Sequence, residues 1–228
     1  MCCWGLIGVT VAVGAGVFAP VMAAESGDPT ARSAVLDPAG DVYPLTTCPV
    51  SGEELGAKGE PVVLQHEGRE VRFCCEGCIA KFQDESGKYL KAIDEAIVTS
   101  QIPYYPESIC LNSRESWGDN PIDQVYKNRL LRFCCPSCGT EVMESIAKNG
   151  THIPELDAMI VEQQRPDYPL QSCVVSGEAL DGSHGAVIEF ISGNRLIRLC
   201  CGACEKAFRK DPARYLAKLE EAQRNAGN

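Results

Sequence analysis

The stretch VRFCCEGC, residues 71–78, decides how this chain is organised. It joins an apolar–Arg–apolar triplet to an adjacent pair of cysteines, and a third cysteine follows after two further residues. The same order returns as LRFCCPSC at residues 131–138 and as IRLCCGAC at residues 197–204. Recurrence of one signature along a chain indicates tandem repeats of one structural unit.

A further cysteine precedes each stretch, separated from the pair by 25, 23 or 26 residues. It ends a Tyr-Pro-x3-Cys run, and a serine lies three residues beyond it. These cysteines and serines are Cys48 and Ser51, Cys110 and Ser113, and Cys173 and Ser176. Twelve of the 14 cysteines therefore occupy equivalent places. We name the repeats module 1 (residues 43–98), module 2 (104–162) and module 3 (168–224), with linkers predicted at 25–42, 99–103 and 163–167.

Each module is predicted to be a small α+β unit in which a β-hairpin precedes a helix. In module 1, two β-rich runs at 61–66 and 69–74 flank Glu67-Gly68, a pair suited to a hairpin turn. Equivalent runs lie at 122–126 and 130–134 in module 2, and at 186–191 and 195–200 in module 3.

Two helices are expected after the hairpin in modules 1 and 3. The first begins at the cysteine pair, since Cys78 and Phe82 are four residues apart and share a helix face. The second is predicted at 86–96 in module 1 and at 211–223 in module 3. In module 2 the run Asn-Gly-Thr-His-Ile-Pro at 149–154 breaks this pattern, so no second helix is predicted there.

The cysteine spacing favours a metal site. A unit of this size buries little apolar surface and usually depends on a metal or disulfides. Cysteines three or four apart at a helix start can converge on one ion, and the helix N-terminus favours thiolates. Thiolates suit Zn(II) or Cu(I), so we predict up to one such ion per module. The candidate ligands are Cys48, Cys74, Cys75, Cys78, Cys110, Cys134, Cys135, Cys138, Cys173, Cys200, Cys201 and Cys204.

An arginine separates the apolar residues of each triplet, at Arg72, Arg132 and Arg198. Successive side chains of a strand point to opposite faces, so each arginine faces away from the apolar pair. We interpret these arginines as the solvent face of the strand. The alternative is that they offset the negative charge of the thiolates.

The cysteine pattern resembles that of the TRASH/YHS group of heavy-metal-associated domains. Module 1 carries the resemblance through Cys-Pro-Val-Ser-Gly at 48–52, the Cys-x3-Cys of Cys74 and Cys78, Phe82 and Lys-Tyr-Leu at 88–90. Module 3 matches similarly, whereas module 2 lacks the trailing Tyr-Leu. The resemblance implies a treble-clef-like metal site and a role in metal sensing, trafficking or resistance. Its motif leaves out the second cysteine of each pair, which is either a fourth ligand or a free thiol.

Other readings of the cysteines remain open. An even cysteine count in an exported chain also predicts disulfides, for example Cys48 with Cys74 and Cys75 with Cys78. A thiol-redox protein is a weaker alternative, since no thioredoxin-like βαβ order surrounds the C-x2-C spacing. Three scattered histidines give no basis for an enzyme. The net charge of −10 disfavours nucleic-acid binding.

The N-terminal residues indicate export. An apolar run, Trp4–Ala19, is followed by small residues around Ala23, which predicts a signal peptide over residues 1–24. We therefore expect a soluble mature part, periplasmic or else secreted or anchored in the membrane by its N-terminus. Expected partners are a metal ion and a metal-transport or other exported protein.

Overall fold

The computed structural model describes residues 31–32, 42–106, 108–149, 153–183 and 185–226. These residues form seven β-strands, six α-helices and one 3-10 helix. The strands are β1 (Ala31–Arg32), β2 (Val62–His66), β3 (Arg69–Phe73), β4 (Ile122–Tyr126), β5 (Arg129–Phe133), β6 (Val187–Ser192) and β7 (Arg195–Leu199). The helices are α1 (Gly77–Asp84), α2 (Ser86–Gln101), α3 (Pro136–Asn149), α4 (Pro154–Gln164), α5 (Gly202–Lys210) and α6 (Pro212–Ala226), with the 3-10 helix at Ile102–Tyr104. The predicted signal peptide lies outside the described residues.

The three predicted hairpins are present. Strands β2–β3, β4–β5 and β6–β7 pair antiparallel, with Val62 opposite Phe73 and His66 opposite Arg69 in the first hairpin. Each turn has two residues with positive φ, at 67–68, 127–128 and 193–194. This backbone suits the twist of a hairpin, and Gly or Asn adopts it most easily. The small α+β class predicted from the sequence is therefore confirmed, and the hairpin delivers each chain segment to its cysteine pair.

The helix bounds differ from the predicted ones. The first helix of modules 1 and 3 begins after the cysteine pair, at Gly77 and Gly202, rather than at it, and the second helix ends later than predicted. Helix α2 continues to Gln101, and a 3-10 turn follows directly, so the segment read as a linker between modules 1 and 2 is largely helical. Module 2 has a second helix after all, α4, which begins at Pro154. The prediction of a broken pattern was wrong because proline at the first helical position starts a helix rather than ending one.

Part of the segment 25–42 joins the fold of module 3. Strand β1 pairs parallel with β6, with Ala31 opposite Val187 and Arg32 opposite Ile188. Val42 is buried in the apolar cluster of module 3, which also contains Phe208. The chain segment before module 1 therefore packs on the last module.

A repeated polar contact joins consecutive modules. Gln101, the last residue of α2, donates a hydrogen bond from Nε2 to the carbonyl oxygen of Asn128 (2.8 Å) and accepts one from the amide of Leu130 (2.8 Å). Gln164, the last residue of α4, makes the same two bonds to Asn194 (2.9 Å) and Leu196 (2.9 Å). Each glutamine thus binds the hairpin turn of the next module.

An arginine at the start of the hairpin's second strand extends this contact. Arg69 pairs with Asp94 of its own module (2.6 Å) and donates to the side chain of Asn128 in the next (2.7 Å). Arg129 likewise pairs with Asp157 (2.5 Å) and donates to Asn194 (2.8 Å). Side-chain hydrogen bonds therefore connect each module to the next, so the three modules form one array.

The prediction that Arg72 faces solvent was wrong. It is buried, pairs with Glu70 at 2.8 Å and donates to the carbonyl oxygens of Arg209 (2.6 Å) and Lys210 (2.5 Å) at the end of α5. Module 1 is thereby joined to module 3 directly, a contact that strand alternation alone cannot reveal.

The equivalent arginines are also paired with carboxylates. Arg132 pairs with Asp123 (2.8 Å) and Arg198 with Glu189 (2.8 Å), in each case across the hairpin. Their charge is matched within the hairpin, so they do not serve mainly to offset the thiolates.

Among the described residues, none of the helices combines the length and the apolar character needed to cross a bilayer. The apolar run Trp4–Ala19 lies outside that part of the chain.

Candidate metal centres

The first cysteine of each module lies in a tight turn. The amide of Cys48 donates to the carbonyl of Glu53 (2.8 Å), and the amide of Gly52 donates back to the carbonyl of Cys48 (2.9 Å). Gly52 needs a positive φ of 73° to close this turn, which glycine adopts without strain. The same turns hold Cys110 with Glu115 and Arg114, and Cys173 with Glu178 and Gly177. The turn brings each first cysteine against the end of the second hairpin strand.

Three cysteine triads are positioned to bind a metal ion within the described part of the chain. They are Cys48, Cys74 and Cys78; Cys110, Cys134 and Cys138; and Cys173, Cys200 and Cys204, with all sulfur atoms of a triad within 4.8 Å of one another. One sulfur comes from the turn, one from the residue after the second strand and one from the first turn of the following helix. Nine of the twelve predicted ligands are thus brought together in triads.

The spacing of the sulfurs fits thiolates around one ion. Sγ of Cys74 and Cys78 are 3.8 Å apart, and the equivalent distances in modules 2 and 3 are both 3.7 Å. Sulfurs about 2.3 Å from a tetrahedral Zn(II) lie about 3.8 Å from one another. A disulfide needs a separation of about 2.05 Å, and the twelve described cysteines are free thiols.

Burial separates the triads from solvent. Cys48, Cys110 and Cys173 are at most 1% exposed, and Cys134 is the triad cysteine that is half-buried. Aromatic residues lie behind the triads of modules 1 and 3: Phe82 and Phe208 are fully buried, and Tyr89 and Tyr215 stack on them. A bound ion would therefore sit between the hairpin end and a small apolar core.

The serine of each turn faces the triad. Ser51 Oγ lies 3.3 Å from Cys74 Sγ, Ser113 Oγ lies 3.4 Å from Cys134 Sγ, and Ser176 Oγ lies 3.3 Å from Cys200 Sγ. Because each of these hydroxyls already reaches a triad sulfur, serine stands where a fourth ligand could be, and in each module it hydrogen-bonds that sulfur instead.

The protein environment sets different pKa values within a triad. Burial alone would raise the pKa of Cys48, but hydrogen bonds from Ser51 and from the amides of Cys74, Ser51 and Val50 lower it to about 7. The same balance lowers the pKa of Cys173 to about 7 and that of Cys110 to about 6. Burial and neighbouring thiols raise the pKa of Cys78 to about 12. In an ion-free triad the turn cysteine therefore ionises at a lower pH than the helix cysteine.

The second cysteine of each pair lies outside the mutually close triads. Cys75 is exposed, and its sulfur lies 3.9 Å from that of Cys74 and 3.8 Å from that of Cys78. Cys201 is half-buried, 3.6 Å from Cys204. Cys135 is half-buried, and its sulfur lies 3.1 Å from the hydroxyl of Ser137. These three predicted ligands border the triads on the solvent side.

The sequence pattern did not reveal the role of the serines or the links between modules. His66, considered as a further ligand in module 1, instead packs edge-on against Phe82, with ring centroids 5.2 Å apart. His152 and His184 lie outside the described residues.

Comparisons with protein families, with characterised proteins and with solved structures find no match to this chain. The resemblance to TRASH/YHS domains therefore stays a hypothesis based on cysteine spacing, and the geometry of the triads carries the functional conclusion.

Proposed function

We propose that this chain binds up to three thiophilic metal ions, one in each cysteine triad, as Zn(II) or Cu(I). The observation that carries the proposal is the threefold recurrence of three sulfurs within 4.8 Å of one another. Three thiolates satisfy trigonal Cu(I) directly, and they satisfy tetrahedral Zn(II) once a fourth ligand is added. The proposed fold of each site is treble-clef-like, with ligands from a turn, a strand end and a helix start.

We further propose that the protein is exported and acts without catalysis, in metal trafficking, buffering or resistance. Several sites on one chain suit a buffer or a carrier that delivers ions to a metal-transport protein. The apolar run followed by small residues supports export. Metal bound to the thiols would also protect them from oxidation outside the cytoplasm.

The proposal is tested by titrating the reduced, metal-free protein with Co(II), whose thiolate bands report sulfur coordination, and displacing it with Zn(II). We expect saturation at about three ions per chain. Replacing the first and last cysteines of every triad by serine (Cys48→Ser, Cys78→Ser, Cys110→Ser, Cys138→Ser, Cys173→Ser and Cys204→Ser) should abolish the thiolate bands, because each module then keeps only two of its four cysteines. Undiminished bands in that variant would refute binding at the triads.

A second candidate is a metal-stapled scaffold for protein interaction, in which the ions are structural. The burial of the triads and the polar links between modules favour it, because structural zinc sites are closed. Exchange with a chelator separates the two: structural ions stay bound until the protein unfolds, whereas cargo ions leave the folded protein within minutes.

A further inference from the structure

In module 1 the sulfurs form two triads that share an edge. The buried triad is Cys48, Cys74 and Cys78. A second, outer triangle is made by Cys74, Cys75 and Cys78, whose sulfur separations are 3.9, 3.8 and 3.8 Å. The triangle is nearly equilateral, and its edges equal those expected for three thiolates on one ion. Because Cys75 is exposed and Cys48 is 1% exposed, the outer triangle faces solvent and the inner triad faces the core.

Module 3 repeats part of this arrangement. Cys204 Sγ lies 3.7 Å from Cys200 Sγ and 3.6 Å from Cys201 Sγ, so Cys201 borders the buried triad as Cys75 does. In both modules the residue just before the last cysteine is small, Gly77 or Ala203, and has no side-chain hydroxyl that could contact the second thiol of the pair.

Module 2 differs at that same position. Ser137 replaces the small residue, and its hydroxyl lies 3.1 Å from the sulfur of Cys135. Cys135 is thus engaged by a neighbour that modules 1 and 3 do not have. The chain therefore offers an internal comparison. In modules 1 and 3 the outer thiol contacts neighbouring thiols, whereas in module 2 a serine hydroxyl contacts it.

We propose that Cys75 and Cys201 are relay ligands through which metal ions enter and leave the buried triads of modules 1 and 3, and that Ser137 restrains Cys135 from this role. This inference rests on the proposed function. An arriving ion is bound first by the outer triangle, Cys75 together with Cys74 and Cys78. The ion then forms a bond to Cys48 as its bond to Cys75 breaks, while Cys74 and Cys78 stay bound.

The exchange is a ligand substitution in which atoms and electrons balance. Each cysteine binds the ion as its thiolate, and a cysteine that is protonated first loses its proton to solvent. The Cys75 thiolate released when the ion moves to Cys48 takes a proton from solvent, and the ion keeps its oxidation state. On departure the order is reversed, and a donor atom of the acceptor binds the ion on the exposed outer triangle. Without Cys75 the outer state has two protein sulfurs instead of three, so the barrier to transfer rises in both directions.

The test follows zinc transfer from the loaded full-length chain to an excess of a chromogenic chelator. Every protein in the test carries Cys2→Ser and Cys3→Ser, so that the reference protein keeps the twelve cysteines of the three modules. We expect about two ions to transfer fast and about one slowly. Cys75→Ser combined with Cys201→Ser should slow the fast phase about tenfold, while the protein still binds three ions.

Two further variants complete the design. Cys135→Ser is the matched control and should leave the transfer rates unchanged. Ser137→Ala should release Cys135 and move the slow ion into the fast phase. If Cys75→Ser with Cys201→Ser transfers zinc at an unchanged or higher rate from three filled sites, the relay is refuted and the proposed function stands. If the unaltered, reduced protein binds neither Zn(II) nor Cu(I), both are refuted.

Discussion

Ser51 Oγ lies 3.3 Å from Cys74 Sγ, in the turn that also holds Cys48. Serine and cysteine differ only in the atom at the γ position. Replacing the hydroxyl oxygen of Ser51 by sulfur would therefore place a fourth thiol beside the buried triad. The three modules share this serine, so the array is built with three-sulfur inner sites.

The first prediction concerns that serine. Ser51→Cys should complete a four-sulfur site in module 1 and tighten zinc binding there at least about tenfold, and the ion should leave more slowly. Ser51→Ala is the matched control, which removes the hydrogen bond to Cys74 without adding a ligand. Competition with a zinc chelator measures both. Equal zinc affinity in the cysteine and alanine variants would show that the turn does not face the ion.

The second prediction concerns the diverged module 2. Cys110→Ser combined with Cys138→Ser should lower the zinc stoichiometry from about three to about two ions per chain. The triad of module 2 keeps the spacing of the others despite its altered sequence. Cys135→Ser, outside the triad, should leave the stoichiometry unchanged. A double variant that still binds three ions would mean that module 2 is a spacer.

The third prediction concerns pH. The pKa of the helix cysteine is raised to about 12 in every module, at Cys78, Cys138 and Cys204. These thiols carry protons at neutral pH, and a bound ion must displace them. Zinc affinity should therefore rise with pH, by about tenfold per pH unit for each proton displaced. Titrations in weak buffer between about pH 6.5 and pH 8.5 measure the protons released; zinc binding without proton release would contradict thiol ligation.

The fourth prediction concerns the links between modules. The side chain of Asn194 accepts a hydrogen bond from Arg129 (2.8 Å) and donates to Leu130 (2.8 Å) and Gln101 (3.3 Å). Its φ of 60° also suits glycine, which removes the side chain without backbone strain. Asn194→Gly should therefore lower the free energy of unfolding by about 2–4 kcal/mol, because buried partners lose their hydrogen bonds.

Chemical denaturation checks this, with the exposed Asn225→Ala as control, expected within about 0.5 kcal/mol of the unaltered protein. Gly68 occupies the equivalent turn position in module 1. If Asn194→Gly is as stable as the unaltered chain, the modules are not held together by this contact.

The hairpins and the grouping of the cysteines could be predicted from the sequence because both depend on short, local sequence patterns. The Glu67-Gly68 turn and the alternation of apolar and polar residues before Cys74 can be recognised from neighbouring residues alone. Because the pattern occurs three times, it is not a chance match. The four-residue spacing of Cys78 and Phe82 places both on one helix face without any knowledge of the rest of the chain. Cys74 lies before the helix, directly after the second hairpin strand.

The rest depended on contacts between modules. Gln101 and Gln164 end helices and look like solvent-facing residues, while Asn128 and Asn194 look like ordinary turn residues, favoured there for their positive φ. Only the packed array shows that they bind one another. Arg72 was misread as solvent-facing for the same reason, since its partners are carbonyl groups of module 3.

The most direct test is the metal content of protein purified without added metal or reductant from the cell that makes it, with free thiols counted after denaturation and metal removal. The account predicts about three ions of zinc or copper per chain and thiols that all react. Absence of metal together with few reactive thiols would contradict it, and the twelve cysteines would then be paired as disulfides.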